Sequence, residues 1–170
     1  MSARGRAAAR PAALLFIAGE GGHFEQARRL LSLLEDDVAD SARLLLLTDV
    51  ERRTDRRFDR VLRVRNPSPK EAPPAWRDAW TYLREAVALV SELRRDYRVA
   101  AVVVTGPGFA VLPAWLLRAG GARLIVFETW SRFEARSKHG RLLYPMAHRF
   151  FVQHRELLSV YPKATWVGLL

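Results

Sequence analysis

The sequence predicts a doubly wound α/β domain built on a mostly parallel sheet. Three observations predict it: continuous apolar runs of strand length, amphipathic helical stretches between them, and glycine-rich turns where a run gives way to a helix. An unbroken apolar run marks a strand covered on both faces, as parallel strands are. Regular alternation of such runs with helices is the pattern of βαβ connections.

Residues 1–11, MSARGRAAARP, form a basic tail carrying Arg4, Arg6 and Arg10, and residues 12–170 form one domain. Basic residues ahead of an apolar stretch resemble a signal peptide, but here the apolar part runs straight into a glycine turn and a helix. It therefore reads as a first strand over residues 13–18 (ALLFIA). After the turn Gly19-Glu20-Gly21-Gly22-His23, residues 24–34 place Phe24, Ala27, Leu30, Leu31 and Leu34 at helical spacing. Strands follow at 43–47 (RLLLL) and 61–64. Four prolines in residues 66–74 (NPSPKEAPP) exclude regular structure and mark a loop within the domain. Residues 76–95 form a helix with Trp76, Trp80, Leu83, Val87, Val90 and Leu93 on one stripe. A strand over 99–105 enters the turn Thr105-Gly106-Pro107-Gly108 and a helix over 109–119. A strand at 123–127, short helices at 142–147 and 155–160, and strands at 149–152 and 165–167 complete the chain.

Composition narrows the function. A chain of 170 residues, 49% hydrophobic and 27% charged, is long enough for one well-buried core and short for two. It has no cysteine, which excludes disulfides and thiolate metal sites and fits a reducing cytoplasm. No apolar run reaches the roughly 18–20 residues that span a bilayer. The net charge of +10 points to an anionic partner: a membrane surface, a phosphorylated substrate or nucleic acid. Nucleic acid is disfavoured, because the chain carries neither a recognised binding motif nor interleaved aromatic and basic residues.

The two glycine turns are the candidate site. In Gly19, Gly21 and Gly22 the backbone is open to a close ligand, and the following helix aims its free amides and positive end at the turn. A dinucleotide fingerprint would need a glycine three residues after Gly21, where Phe24 stands, so a nicotinamide cofactor is disfavoured. At a helix N-terminus the cationic form of His23 is disfavoured, which favours a neutral imidazole able to act as a base; the plainer reading is a surface histidine bonded to the turn. Gly106, Pro107 and Gly108 form the second turn. The strand over 123–127 ends in Glu128-Thr129-Trp130-Ser131-Arg132, reaching the same rim. Glu128 is therefore a second candidate base, or alternatively a capping carboxylate or the ion-pair partner of Arg132. His139, His148 and His154 show no metal-ligand spacing with carboxylates, so no metal is expected. Ser131 lacks the context of an activated nucleophile. Asp49 follows a strand where a ribose-binding acid would stand, although Asp commonly begins a turn there.

Together these residues resemble the PssD-type subunits of bacterial exopolysaccharide glycosyltransferases. They are similar to the membrane-anchoring subunit of the eukaryotic dolichol-linked N-acetylglucosaminyltransferase and, more distantly, to the N-terminal half of MurG. The resemblance rests on G-x-G-G-H at 19–23, on G-P-G at 106–108 and on residues 127–170. Within the last block it rests on Glu128 and Arg132, Gly140 with Leu143-Tyr144-Pro145, Phe151-Val152-Gln153, Glu156-Leu157, Tyr161-Pro162 and Gly168. It implies the acceptor-side half of a GT-B glycosyltransferase, active with a separate subunit that binds a nucleotide-sugar of the UDP-linked class. It also implies a polyprenyl-diphosphate-linked sugar acceptor, inverting transfer with His23 or Glu128 taking the acceptor proton, and no bound metal or cofactor. The family pattern has Ser or Thr where Glu20 stands, and an N-terminal membrane helix that is missing here. Attachment at the inner face of the plasma membrane is thus expected to be peripheral. Trp76, Trp80 and Leu83 on one helix face, with Arg77 and Arg84 nearby, fit a lipid interface, and the alternative is a core-packing helix. Arginines of the tail would add roughly 1 kcal/mol each near an anionic surface. A non-catalytic scaffold that recruits a complete transferase is the competing reading.

Overall fold

The computed structural model describes residues 9–38, 40–50, 55–64 and 76–170. Its centre is a sheet of seven strands: β1 (Ala12–Ala18), β2 (Arg43–Thr48), β3 (Arg60–Arg63), β4 (Arg98–Gly106), β5 (Arg123–Phe127), β6 (Arg149–Val152) and β7 (Thr165–Trp166). Their order is β3-β2-β1-β4-β5-β6-β7, and every neighbouring pair is parallel. All seven strands lie where the apolar runs predict them, within one residue at most ends. The winding reverses between β1 and β4, and a reversal of this kind leaves a crevice outside the carboxyl ends of the two strands.

The unbroken leucines of β2 illustrate why the runs do not alternate. Leu45 and Leu47 enter the core on one face of the sheet, while Leu44 and Leu46 enter the core on the other. Helix α1 (Gly22–Val38) covers the second face, packing Phe24, Ala27, Leu30 and Leu31 near Phe16, Leu46 and Val103. Helices α2 (Trp76–Asp96), α3 (Val111–Ala119) and α4 (Lys138–Leu143) cover the first face. Tyr82, Ala86, Leu89, Leu93, Ala114, Leu117 and Leu143 pack there on strand residues including Leu15, Ile17, Val104 and Val126. Pro113 is tolerated in α3 because the first turn of a helix has no use for its missing N–H.

Four expectations change. The core side of α2 carries Tyr82, Ala86 and Leu89 together with Val90 and Leu93 of the predicted stripe, whereas Trp80 and Val87 of that stripe are 60% and 44% exposed. The predicted stripe therefore divides, its C-terminal members Val90 and Leu93 entering the core and Trp80 and Val87 facing outward. The helix expected at 109–119 begins as a 3-10 turn, Gly108–Ala110, before α3. The short helix expected at 142–147 instead ends at Leu143 and continues as a 3-10 turn, Tyr144–Met146, because Pro145 cannot supply a helical N–H. Residues 155–159 are likewise a 3-10 turn. The first eight residues of the basic tail and the proline-rich stretch 66–74 lie outside the described residues.

Candidate functional site

The two glycine turns sit side by side at the switch point. The Gly19 N–H donates to the Gly106 carbonyl across 3.1 Å, which ties the end of β1 to the end of β4. Gly19 is buried, with Pro107 and Asp49 so close that a β-carbon would lie 2.4 Å from Pro107 Cδ. Gly106 is also buried, at φ +109°, and is joined to Pro107 by a cis bond. These two glycines hold the two turns together. Gly21 (φ +68°), Gly22 and Gly108 are the exposed members of the set. Gly22 opens α1 against the indole of Trp130, over which Arg29 lies at 5.2 Å.

His23 occupies the first turn of α1, half-buried above Gly106. Its Nδ1 lies 2.7 Å from the Thr105 carbonyl oxygen, and the Thr105 hydroxyl donates back to the His23 carbonyl at 2.8 Å. A carbonyl only accepts, so Nδ1 carries the proton and the ring's basic lone pair is on Nε2. The ring is thereby oriented by β4 while its helix comes from β1, which only the switch-point topology brings together.

Glu128, at the end of β5, is fully buried beneath this rim. Its Oε1 accepts from the Thr129 N–H at 2.9 Å, and its Oε2 accepts from the Ser137 N–H at 3.2 Å and the Tyr161 hydroxyl at 2.6 Å. Its carbonyl accepts from the amides of two buried glutamines, Gln26 of α1 at 3.1 Å and Gln153 after β6 at 3.4 Å. Burial and the Glu128 contact push the Tyr161 hydroxyl's pKa up, so it stays a donor. The carboxylate thus organises the irregular segment 128–137 rather than lying on its surface. Arg132 is exposed on that segment, its N–H bonded to the Thr129 carbonyl, and is not among the hydrogen-bond partners of the Glu128 side chain. Gly140 completes the packing: a β-carbon there would lie 2.3 Å from Glu128 Oε2 and 2.4 Å from the Tyr161 hydroxyl.

Sequence reasoning missed His139, which the fold buries between His23 and Glu128. Its ring meets that of His23 edge to face at 6.0 Å, and its Nε2 is 4.0 Å from Glu128 Oε1. Ser137, the N-cap of α4, accepts from the Gly140 N–H at 2.9 Å and lies 3.1 Å from His139 Nδ1. The Ser-x-x-Gly pattern signals the cap, but nothing local signals that Tyr161 returns from 33 residues away. His154 donates to the Trp130 carbonyl from Nε2 at 2.7 Å, and His148 accepts the Leu124 N–H at the opposite edge of the sheet. No group of three or more His, Asp and Glu among the described residues is placed to hold a metal ion.

Two apolar surfaces flank the rim. Trp80 and Val87 on the outer side of α2, with half-buried Leu83, share a helical layer with Trp115 of α3, 38% exposed. Trp76 begins α2, but its side chain is outside the described residues. Trp166, Val167 and Leu169 are exposed at the edge strand β7, and the segment after it returns to the rim, where the Leu170 N–H donates to Gln153. No helix among the described residues is long and apolar enough to cross a membrane.

An all-parallel sheet that reverses between β1 and β4, with helices on both faces, defines a Rossmann-like doubly wound domain. Solved structures agree. MurG of Acinetobacter baumannii matches 84% of this chain and 41% of its own with a TM-score of 0.60 at 14% identity. UGT2 of Phytolacca americana, complexed with UDP-2-fluoro-glucose and pterostilbene, matches 91% of this chain and 50% of its own with a TM-score of 0.55 at 12% identity. The chain thus spans half or less of these two enzymes. Within that class the chain belongs to the family described as oligosaccharide biosynthesis protein Alg14 like, whose model matches residues 14–170. Among its relatives is the UDP-N-acetylglucosamine transferase subunit ALG14 of Candida albicans, 26% identical over 92% of this chain and 77% of the relative. The human protein of the same name is 26% identical over 91% of this chain and 81% of its own length.

Proposed function

We propose that this chain is the acceptor-binding subunit of a two-component inverting glycosyltransferase in polysaccharide biosynthesis of the PssD type. The sugar comes from a UDP-linked donor held mainly by a partner subunit, and no further cofactor takes part. The acceptor is a polyprenyl-diphosphate-linked sugar presented at the inner face of the plasma membrane. The observation that carries this reading is the half-buried His23, fixed by Thr105 in the tautomer whose Nε2 accepts a proton, at the rim of a GT-B half.

In the reaction, the acceptor hydroxyl attacks the anomeric carbon of the donor sugar as His23 Nε2 takes its proton. The new carbon–oxygen bond forms while the bond to the diphosphate breaks, and the nucleoside diphosphate leaves with the electron pair. In-line displacement inverts the anomeric centre. The exposed amides at Gly21 and Gly22, backed by the α1 dipole, and the guanidinium of Arg132 offer positive potential to a diphosphate. Gly108 and the Pro107 turn border the same crevice. Glu128 acts from below, holding the segment that carries Arg132 in place.

The partner closes over the rim, for which the exposed Trp166, Val167 and Leu169 beside it supply apolar contact area. Trp80, Leu83, Val87 and Trp115, bordered by Arg77 and Arg84, rest on the lipid surface. The test is substitution of His23 and of Glu128, one at a time, in the assembled transferase. His23→Ala is expected to abolish transfer while leaving the partner bound. Full activity in both variants would mean that the chain is a scaffold recruiting a complete enzyme.

A further inference from the structure

We propose that His139 is a positioning residue for His23, a neutral buried imidazole that links it to the Glu128 carboxylate and lets that buried charge offset the proton His23 takes up. The inference rests on the reading of His23 as the base, and it concerns a residue that neither spacing nor motif singles out.

The Phe127 carbonyl, 3.4 Å from His139 Nε2, can only accept, so Nε2 carries a hydrogen, with Glu128 Oε1 at 4.0 Å beside it. In the neutral ring Nδ1 then accepts from the Ser137 hydroxyl, 3.1 Å away, whose oxygen takes the Gly140 N–H. Every polar atom of the ring has a role in its neutral form. Burial pushes the pKa of His139 down, the Glu128 charge opposes this in part, and His23 and Arg132 add to the lowering. These three act on it from α1, from the end of β5 and from the segment after it.

Both imidazoles press on one glycine. A β-carbon at Gly106 would lie 2.7 Å from His23 Cε1 and Nδ1 and 3.0 Å from His139 Cε1. With the edge-to-face contact at 6.0 Å, this confines the His23 ring on the side away from solvent. A neutral residue at this place is a requirement of the arrangement. A cation there would repel the proton that His23 must accept, whereas a neutral ring leaves the Glu128 charge behind it free to offset that proton.

Only four histidines are present, so ring nitrogen spectra of the labelled protein can follow His23 directly. The test titrates His23 by NMR in the wild type, His139→Gln, Glu128→Gln and the double variant, with melting temperatures measured alongside. Each single substitution is expected to lower the His23 pKa by about half a unit or more, and the double variant by less than the two effects added, because the residues act as one unit. Should Glu128→Gln fail to fold, the comparison of wild type with His139→Gln carries the test. An unchanged His23 titration in folded His139→Gln, or strictly additive shifts, would reduce His139 to packing and overturn the proposal. The measurement needs no partner or substrate. A transferase that keeps its rate in His23→Ala would therefore refute the base assignment alone, and the titration would still decide the coupling.

Discussion

His23 and Glu128 enter the sequence as equivalent candidates, and their surroundings separate them. One is a half-buried imidazole with its proton fixed on Nδ1; the other is a sealed carboxylate accepting from two backbone amides and a tyrosine. Replacing His23 with Ala should lower kcat of the assembled enzyme by about 10²- to 10⁴-fold, the usual worth of a general base, with a much smaller change in KM. Steady-state kinetics against acceptor concentration checks this. Tyr161→Phe removes a hydrogen bond to a charged group and should cost about 1.5–3 kcal/mol, read from denaturant midpoints. Gly140→Ala should destabilise the fold more visibly, since its methyl group would meet Glu128 and Tyr161 at sub-contact distance. The buried His139 also predicts a pH dependence. Its folded pKa lies below the unfolded value, so below about pH 6.5 the unfolded chain binds a proton that the folded chain refuses. Stability should therefore fall as the pH drops from 7.5 towards 5.5, and His139→Gln should flatten that slope in thermal melts. His148, also lowered by burial and by its neighbours Arg118, Arg123 and Arg149, keeps part of the slope in the variant.

At the scale of elements, the strands were legible because each is a continuous apolar run that a two-sided core requires. Helix α2 was legible as a helix but not in its orientation. Its apolar residues cover more than one face, and which of them turn inward depends on tertiary packing, here Tyr82, Ala86, Leu89, Val90 and Leu93. The outer stripe carries the membrane prediction. Trp80→Gln with Val87→Gln should leave the melting temperature nearly unchanged, as exposed substitutions do. It should abolish sedimentation with vesicles containing anionic lipid, and wild-type binding should weaken as salt rises. Equal binding of wild type and variant, or of the wild type to neutral and anionic vesicles, would contradict the assignment. The G-x-G-G-H turn was legible as a turn. That Gly19 and Gly106 bond to each other was not, because that bond joins residues 87 positions apart.

For the whole molecule, the alternation of elements was enough to foresee a doubly wound sheet and the rim on which the candidates converge. What the chain alone could not disclose is the relation among residues that meet only in the fold: His23 with Thr105, Glu128 with Tyr161, His139 with both. The rim that carries His23 and the apolar edge beside it are the features on which the proposed shared cleft rests. The most direct test is sugar transfer from a radiolabelled UDP-sugar to the lipid fraction of native membranes. It would compare the tagged chain alone, the chain with the partner that co-purifies from mild detergent, and the same pair carrying His23→Ala. The account predicts label in lipid only for the unmodified pair. Transfer by the chain alone, or undiminished transfer by the His23→Ala pair, would contradict it.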